Sequence, residues 1–316
     1  MGFKKVVVVG GGVLGSQIAF QTAYWGFEVY ILLRSQESIE RAKPKIEWVR
    51  KEMLKSLEKM KTDKNVYCKG LTDSSDLTAE EIDGLKARVE KAYKELKLTT
   101  NYEEACKNAD LIIESIAEDI KQKKEIYQKL QPYLEEKTVI VTNSSTYVPS
   151  QFADSTGRPE KYLAFHFINI IWIKNLVEIM GHAGTDKKYF DEMVKFAEEI
   201  RMIPLKVLKE HPKYILNSML SPFLRNALTL WANDVADVET IDKTWKLCTD
   251  SKRGPFEILD MTGIATPYYI LINEPSYKDP NSDIRKIADK LKIMLDAGKK
   301  GNLAGEGFYK NGKMNA

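Results

Sequence analysis

The chain is poor in the features that mark several large classes of protein. It has three cysteines, Cys68, Cys106 and Cys248, widely spaced and odd in number. That argues against a disulfide framework or a zinc site and fits thiols kept reduced in a cytoplasm. It has three histidines, His166, His182 and His211, so imidazole chemistry has few candidates, and no metal site is expected. Its longest apolar runs, such as residues 6–9, fall far short of a bilayer span, so no membrane partner is expected. Charge of one sign is also lacking. The 48 basic and 45 acidic residues leave a net +3, too weak a field to draw the whole protein to nucleic acid. Residues 1–5 run directly into an apolar strand, so no signal peptide is expected and the localisation is read as cytoplasmic. Gly2 is not read as a myristoylation site, because position 6 is Val rather than Ser or Thr. No internal repeat or low-complexity segment is present.

What the chain does have is alternation. Strands are expected at 5–9, 28–33, 111–114, 138–142, 163–167 and 176–180, with helical periodicity between most of them, as at 15–25 and 121–134. Such alternation reads as a parallel sheet with helices on its faces. Residues 37–97 show no strand pattern. They read as two long charged helices separated by the turn-rich segment 69–76, either projecting from the sheet or packed along it. Past Pro204 the pattern becomes helical, at 213–235, 241–247, 254–262 and 284–297. The expected domains are therefore 1–205, with the insertion at 37–97, and 206–316.

Residues 6–15 read Val-Val-Val-Val-Gly-Gly-Gly-Val-Leu-Gly, which places G-x-G-x-x-G after a strand and at the start of a helix. Gly10 allows the tight turn, Gly12 lets backbone approach a pyrophosphate, and Gly15 lets helix and strand pack closely. Exposed amides at the helix start, those of Val13 and Leu14 among them, then bind the phosphates. The fold class is thus α/β: a doubly wound Rossmann sheet with a helical-hairpin insertion, followed by an all-α C-terminal domain. The expected cofactor is a nicotinamide dinucleotide. At the end of the second strand, a NAD-selective site usually places an acidic residue for the ribose 2′-hydroxyl. Here the residues are Leu33-Arg34-Ser35. Arg34 and Ser35 suit a 2′-phosphate, so NADP(H) is favoured while NAD(H) stays open.

Hydride transfer to or from an alcohol carbon needs a base for the hydroxyl proton. Histidine suits the task near neutral pH, and a carboxylate on its far nitrogen fixes the tautomer. His166 closes one apolar strand and Glu178 lies in the next. A hairpin turning near Trp172 would set them side by side, although on these residues alone the pair reads first as a core histidine and a surface glutamate. His182 and His211 sit in polar, loop-like contexts and are read as solvated.

The later segments resemble the 3-hydroxyacyl-CoA dehydrogenase family, including its single-unit bacterial 3-hydroxybutyryl-CoA members. The resemblance covers nearly the whole chain. It rests on the glycine motif, residues 114–119 (Glu-Ser-Ile-Ala-Glu-Asp), 142–145 (Thr-Asn-Ser-Ser), 166–169 (His-Phe-Ile-Asn), 176–178 (Leu-Val-Glu), Asn217, 254–257 (Gly-Pro-Phe-Glu) and 305–309 (Gly-Glu-Gly-Phe-Tyr). It implies a Rossmann domain, a helical substrate and dimerisation domain, a homodimer, and His166 with Glu178 as the acid–base pair. It further implies that Ser145 hydrogen-bonds the substrate oxygen and that Asn143 contacts the nicotinamide ribose. Glu118 and Lys123 match positions near the cofactor, and Asn217 matches a polar position facing the substrate. Each has a plainer reading: Asn143 and Ser145 as turn caps, Lys123 and Asn217 as exposed helix residues.

Two departures stand out. The family continues its histidine motif with a proline after the asparagine. This chain has Ile170-Ile171-Trp172, so an altered loop and pocket are expected. The insertion is long, and Arg50, Lys51, Lys55, Lys59, Lys61 and Lys64 alternate with Glu47, Glu52 and Glu58. That alternation reads first as a solvated, ion-paired helix and only secondarily as a surface for CoA phosphates. The leading expectation is an NAD(P)-dependent 3-hydroxyacyl-CoA dehydrogenase or 3-ketoacyl-CoA reductase. The alternatives are a reductase of free hydroxy acids or diketones on the same fold, and a dinucleotide-binding protein without turnover.

Overall fold

Four successive valines with no polar alternation need cover on both faces, which only an interior strand receives. In the structure, a computed structural model that describes residues 2–63 and 65–310, these valines form β1 (Lys5–Val9), buried throughout. The other strands are β2 (Glu28–Leu32), β3 (Lys97–Thr99), β4 (Leu111–Glu114), β5 (Val139–Thr142), β6 (Tyr162–Phe167), β7 (Leu176–Met180) and β8 (Ile203–Val207). They make one sheet in the order β3-β2-β1-β4-β5-β6-β7-β8. All neighbours pair in parallel except β6 with β7, which are antiparallel. The first six positions follow the Rossmann order, with its reversal between β1 and β4.

The two-residue period of a strand sends alternate side chains into two different cores. Val6 and Val8 join Ile18, Phe20, Val49 and Phe165 on one face. Val7 and Val9 join Tyr127, Ile140 and Tyr162 on the other. The helices of this unit are α1 (Val13–Tyr24), α2 (Gln36–Met60), α3 (Ala79–Glu95), α4 (Tyr102–Cys106), α5 (Ile120–Leu130) and α6 (Lys187–Glu199). Of the two arrangements open for the charged hairpin, the structure has the packed one. Ile39, Ala42, Ile46, Val49, Met53, Leu57 and Met60 recur at three- and four-residue intervals, and this stripe of α2 is buried with Ile18 and Phe20 of α1. The opposite face of α2 carries ion pairs: Arg50 with Glu47 and Glu90, Lys51 with Glu47, Lys55 with Glu52, and Lys61 with Asp83. Lys64 lies outside the described residues.

The helical part comprises α7 (Leu216–Ala232), α8 (Val238–Thr249), α9 (Pro255–Thr262), α10 (Ala265–Leu271) and α11 (Asp283–Asp296). Compact units divide at Ile215 and Leu216. The pattern change near Pro204 precedes this point because β8, which contains Pro204, still belongs to the first sheet. Two buried carboxylates order the second unit. Asp242 accepts from the Phe256 and Glu257 amides and from the Tyr309 hydroxyl, and Asp260 accepts from the Phe308 and Tyr309 amides. The segments 254–257 and 305–309 are thus tied together within this unit.

Among the described residues, no helix is long and apolar enough to cross a membrane, and no cluster of His, Cys, Asp and Glu suits a metal ion. Cys68 and Cys106 are buried and Cys248 is exposed. Burial pushes the Cys68 thiol up to about 12 and the Cys106 thiol up to about 11. Because the thiolate is the reactive form, a thiol reagent at neutral pH is expected to label Cys248 alone in the native protein and all three cysteines after denaturation. Fast native labelling of two or more thiols would contradict this burial.

Candidate active site

The turn after β1 shows what each motif glycine does. Gly10 has φ +110°, where a side chain is strained, and a Cβ there would lie 2.5 Å from the Ser115 carbonyl oxygen. A Cβ on Gly15 would collide with the Gly10 carbonyl oxygen. Gly12 differs, since nothing lies within 4 Å of the position its Cβ would take. It is the N-cap of α1, with no side-chain cap and no acidic residue in the first turn. The helix therefore presents bare amides, including those of Val13 and Leu14, beside open space at the carboxyl end of β1 and at the strand-order reversal. A dinucleotide pyrophosphate fits such a cradle.

At the end of β2, Leu33 is buried in the core and Arg34 is exposed. Ser35 caps α2, its hydroxyl accepting from the Ser38 amide. The Arg41 guanidinium, one turn on, reaches the Ser38 hydroxyl at 2.8 Å. Arg41 brings a second cation near this turn that the strand-end pattern did not reveal.

On β6 and β7, His166 and Glu178 are direct cross-strand partners. His166 Nδ1 lies 2.9 Å from Glu178 Oε2, and both side chains are almost fully buried. The other carboxylate oxygen, Oε1, accepts from the Ile215 amide at 2.9 Å. The Tyr214 ring stacks on the imidazole, with centroids 4.6 Å apart and an interplanar angle of 25°. Burial, followed by the charges of Glu118, Glu178 and Glu114, raises the Tyr214 phenol far above its usual range.

A second polar cluster lies between β4, β5 and α5. Glu114 is fully buried, yet accepts from the Ile116 amide, Lys123 Nζ, the Tyr127 hydroxyl and the Thr142 hydroxyl. A buried carboxylate is tolerated when its lone pairs are filled and its charge is paired. Lys123 is therefore not an exposed helix residue: it is 1% exposed and bound to Glu114, with Glu118 3.7 Å away. Glu118 accepts from the Ser144 hydroxyl and from the Ser145 amide and hydroxyl, at 2.9, 2.6 and 3.2 Å. Asn143 ties two strand ends, its Oδ1 accepting from the Phe167 amide.

The expected disturbance after His166 takes a specific form. Ile170, where the family has proline, sits at φ +63°, which proline cannot adopt. Its amide and that of Ile171 donate to Gln17 Oε1, at 2.8 and 3.4 Å, while Gln17 Nε2 donates to Asn169 Oδ1 at 2.7 Å. Gln17, on α1, thus pins this loop to the cofactor helix. Trp172 is buried against the hairpin: its indole donates to Ser56, and it meets Trp48 edge to face. The bulky residue packs into the core beside α2.

Ser145, Glu118, Lys123 and Asn143 gather at the carboxyl ends of β4 and β5, while His166 and Glu178 pair on β6 and β7. Asn217 is half-buried in the first turn of α7, in the other compact unit. His211 is exposed, whereas His182 is half-buried, its Nε2 2.9 Å from the Pro159 carbonyl oxygen. Sequence reasoning missed Gln17, Arg41 and Tyr214 as site residues. Glu114 entered only within a motif, although a carboxylate ending the run Leu-Ile-Ile with a lysine nine residues on signals a buried pair.

An uncapped glycine turn at the strand-order reversal and a buried histidine–carboxylate pair on the same sheet are parts that a dinucleotide-dependent oxidoreductase requires. The family model for the NAD-binding domain of 3-hydroxyacyl-CoA dehydrogenase matches residues 5–211, and that for its C-terminal domain matches residues 214–311. The chain belongs to the 3-hydroxyacyl-CoA dehydrogenase family. It is 30% identical to the mitochondrial hydroxyacyl-coenzyme A dehydrogenase of Rattus norvegicus, over 97% of this chain and 91% of that one. It is also 30% identical to the 3-hydroxybutyryl-CoA dehydrogenase of Clostridioides difficile, over 82% and 83%. Among solved structures, a diketoreductase described as acting on dicarbonyl compounds is 36% identical with a TM-score of 0.83, covering 98% of this chain and 99% of its own.

Proposed function

We propose that the protein interconverts a 3-hydroxyacyl and a 3-ketoacyl group on a CoA thioester, with His166 as the proton acceptor and donor. The observation that carries this is the buried His166–Glu178 pair, in a sheet whose first turn leads into an uncapped helix start beside open space. As a carboxylate Glu178 offers only acceptors, and His166 then carries its hydrogen on Nδ1 and leaves Nε2 free to take a hydroxyl proton. When bound, the nicotinamide supplies the hydride acceptor or donor. Ser145 is assigned to the substrate oxygen. Glu118, with Lys123 behind it, orients Ser145, and Asn143 holds the β5 end against β6, where it would contact the nicotinamide ribose.

A second reading, reduction of free hydroxy acids or diketones, is supported by the 36% identity to a diketoreductase and by the ion pairing of the α2 cations. Initial rates with acetoacetyl-CoA, free β-keto acids and diketones separate the two. The CoA reading expects the highest kcat/KM for the thioester, and a diketone preference would replace it with the second.

We also propose NADP(H) as the preferred cofactor. Leu33 gives a ribose 2′-hydroxyl no acceptor, while Arg34 and Arg41 offer cations to a 2′-phosphate. One charge-assisted contact contributes about 1.5–3 kcal/mol, or roughly one to two orders of magnitude in affinity. The competing group is Glu37, an exposed carboxylate beside Ser35 whose hydroxyl holds it below the usual range. The test compares kcat/KM for NADPH and NADH in the parent and in Leu33→Asp/Arg34→Gln. A parent that favours NADH refutes the preference.

Association is proposed as a homodimer through the helical unit, where Met219, Tyr269 and Ile270 are 70%, 61% and 54% exposed. Sedimentation at micromolar concentration is expected to show the dimer, and a monomer there removes this proposal.

A further inference from the structure

The corner at the end of the first unit is tied to the acid–base pair by two separate contacts. Lys213 and Tyr214 hold positive φ angles of 68° and 57°. Non-glycine residues adopt this left-handed conformation at a cost, and it persists where surrounding contacts enforce it. Here those contacts include the catalytic strands. The Tyr214 ring lies on the His166 imidazole, and the next amide, that of Ile215, donates to Glu178 Oε1. The pair is thus held from three directions: imidazole on carboxylate, amide on carboxylate, and ring on ring.

We infer that Tyr214 is a positioning residue for proton transfer, whose π face stabilises the imidazolium of His166 while the Ile215 amide fixes the carboxylate that the imidazolium faces. This rests on the proposed role of His166 as proton acceptor. An aromatic face carries the negative part of the ring quadrupole and attracts a cation. His166 becomes a cation only after taking the proton, so the stack favours the state that proton transfer creates. Tyr214 is 1% exposed, so water does not screen the interaction.

Tyr214 adds to the stabilisation that the Glu178 carboxylate gives the imidazolium, and it covers a face of the ring that Glu178 does not. Glu178 on β7 occupies Nδ1. On the other side of β6, β5 ends in the neutral Thr142 and Asn143, and Glu114, which Thr142 bonds, is paired with Lys123. Glu118 is turned to Ser144 and Ser145. Burial and the nearby carboxylates of Glu118, Glu178 and Glu114 keep the phenol protonated, so Tyr214 acts through its ring and does not carry the proton.

The test uses the chain's scarcity of histidine. Three imidazoles give a tractable NMR titration of the full-length protein, and the signal absent from His166→Asn assigns His166. Tyr214→Phe keeps the π face and is expected to titrate with the parent. Fluorinated phenylalanines at position 214 keep the ring shape while weakening and then reversing the quadrupole. Across that series the His166 midpoint is expected to fall by roughly 0.5–1 pH unit, with His182 and His211 unmoved. The acid limb of kcat/KM for alcohol oxidation should move down with it. Tyr214→Leu is the genetic counterpart; if it fails to fold, the fluorinated series still decides. A His166 midpoint constant across the series overturns the inference. Because the titration is read without turnover, it is distinct from the proposed catalytic role, which falls only if His166→Asn retains parental activity.

Discussion

Replacing His166 by alanine, or Glu178 by glutamine, is expected to lower kcat by about 10²–10⁴-fold while leaving dinucleotide binding close to the parent value. The glutamine case follows from the hydrogen-bond inventory. Glu178 faces two donors, His166 Nδ1–H on Oε2 and the Ile215 amide on Oε1. A carboxylate accepts from both, whereas a glutamine side chain has one acceptor and one donor end. If its oxygen stays with Ile215, its NH₂ faces Nδ1, and the imidazole must move its hydrogen to Nε2. The base then points a hydrogen at the substrate where it needs a lone pair. If the amide turns the other way, it opposes the Ile215 N–H in a buried site. His166→Ala removes the base outright but leaves Glu178 without its partner. His166→Asn, whose amide can still donate to Glu178, is therefore the companion variant that separates chemistry from stability. Steady-state rates, cofactor calorimetry and thermal midpoints on all three decide the matter. A His166→Ala or His166→Asn enzyme with more than half of parental kcat would remove His166 from the mechanism.

Why this pair was legible in the sequence, and other parts of the site were not, has a physical basis. His166 closes one short apolar run and Glu178 lies within the next, and a hairpin between such runs brings the two polar positions onto neighbouring strands. The glycine motif was legible because close approach and positive φ demand glycine at fixed spacing. β3 and β8 escaped for the opposite reason. β3 has three residues at the sheet edge, and β8 reads Ile-Pro-Leu-Lys-Val with Pro204 inside it. An edge strand tolerates a proline that an interior strand would not, so local pattern argued against strand where tertiary pairing prevailed. α10 was hidden likewise by Pro267 in its first turn. Tyr214 and Gln17 were invisible because their partners lie 48 and 152 residues away in sequence, and nothing local marks them. Lys123 looked like one more charge on a polar helix. Only β4, placing Glu114 beneath that helix, shows why its ammonium is buried.

The motif glycines should separate under substitution, because one position is limited by the protein and another by its ligand. A Cβ at Gly15 would strike the Gly10 carbonyl oxygen, so Gly15→Ala must push α1 away from the turn after β1. It is expected to lower the thermal midpoint and weaken dinucleotide binding together. Gly12 has φ −72° and ψ −172°, an extended conformation open to any residue, and no atom lies within 4 Å of its prospective Cβ. Gly12→Val should therefore fold, losing about 1 kcal/mol or less as a poorer N-cap. Its isopropyl group would nevertheless stand in the space where the pyrophosphate approaches the bare amides of α1. Each charge-assisted hydrogen bond lost there contributes about 1.5–3 kcal/mol, so the dissociation constant should rise roughly 10- to 100-fold for every such contact. Calorimetric titration with the dinucleotide, set beside thermal melts of the same samples, reads both effects. If Gly12→Val binds as the parent does, the phosphates do not sit at this turn, and the assignment of the cofactor cradle fails even though the sheet stands.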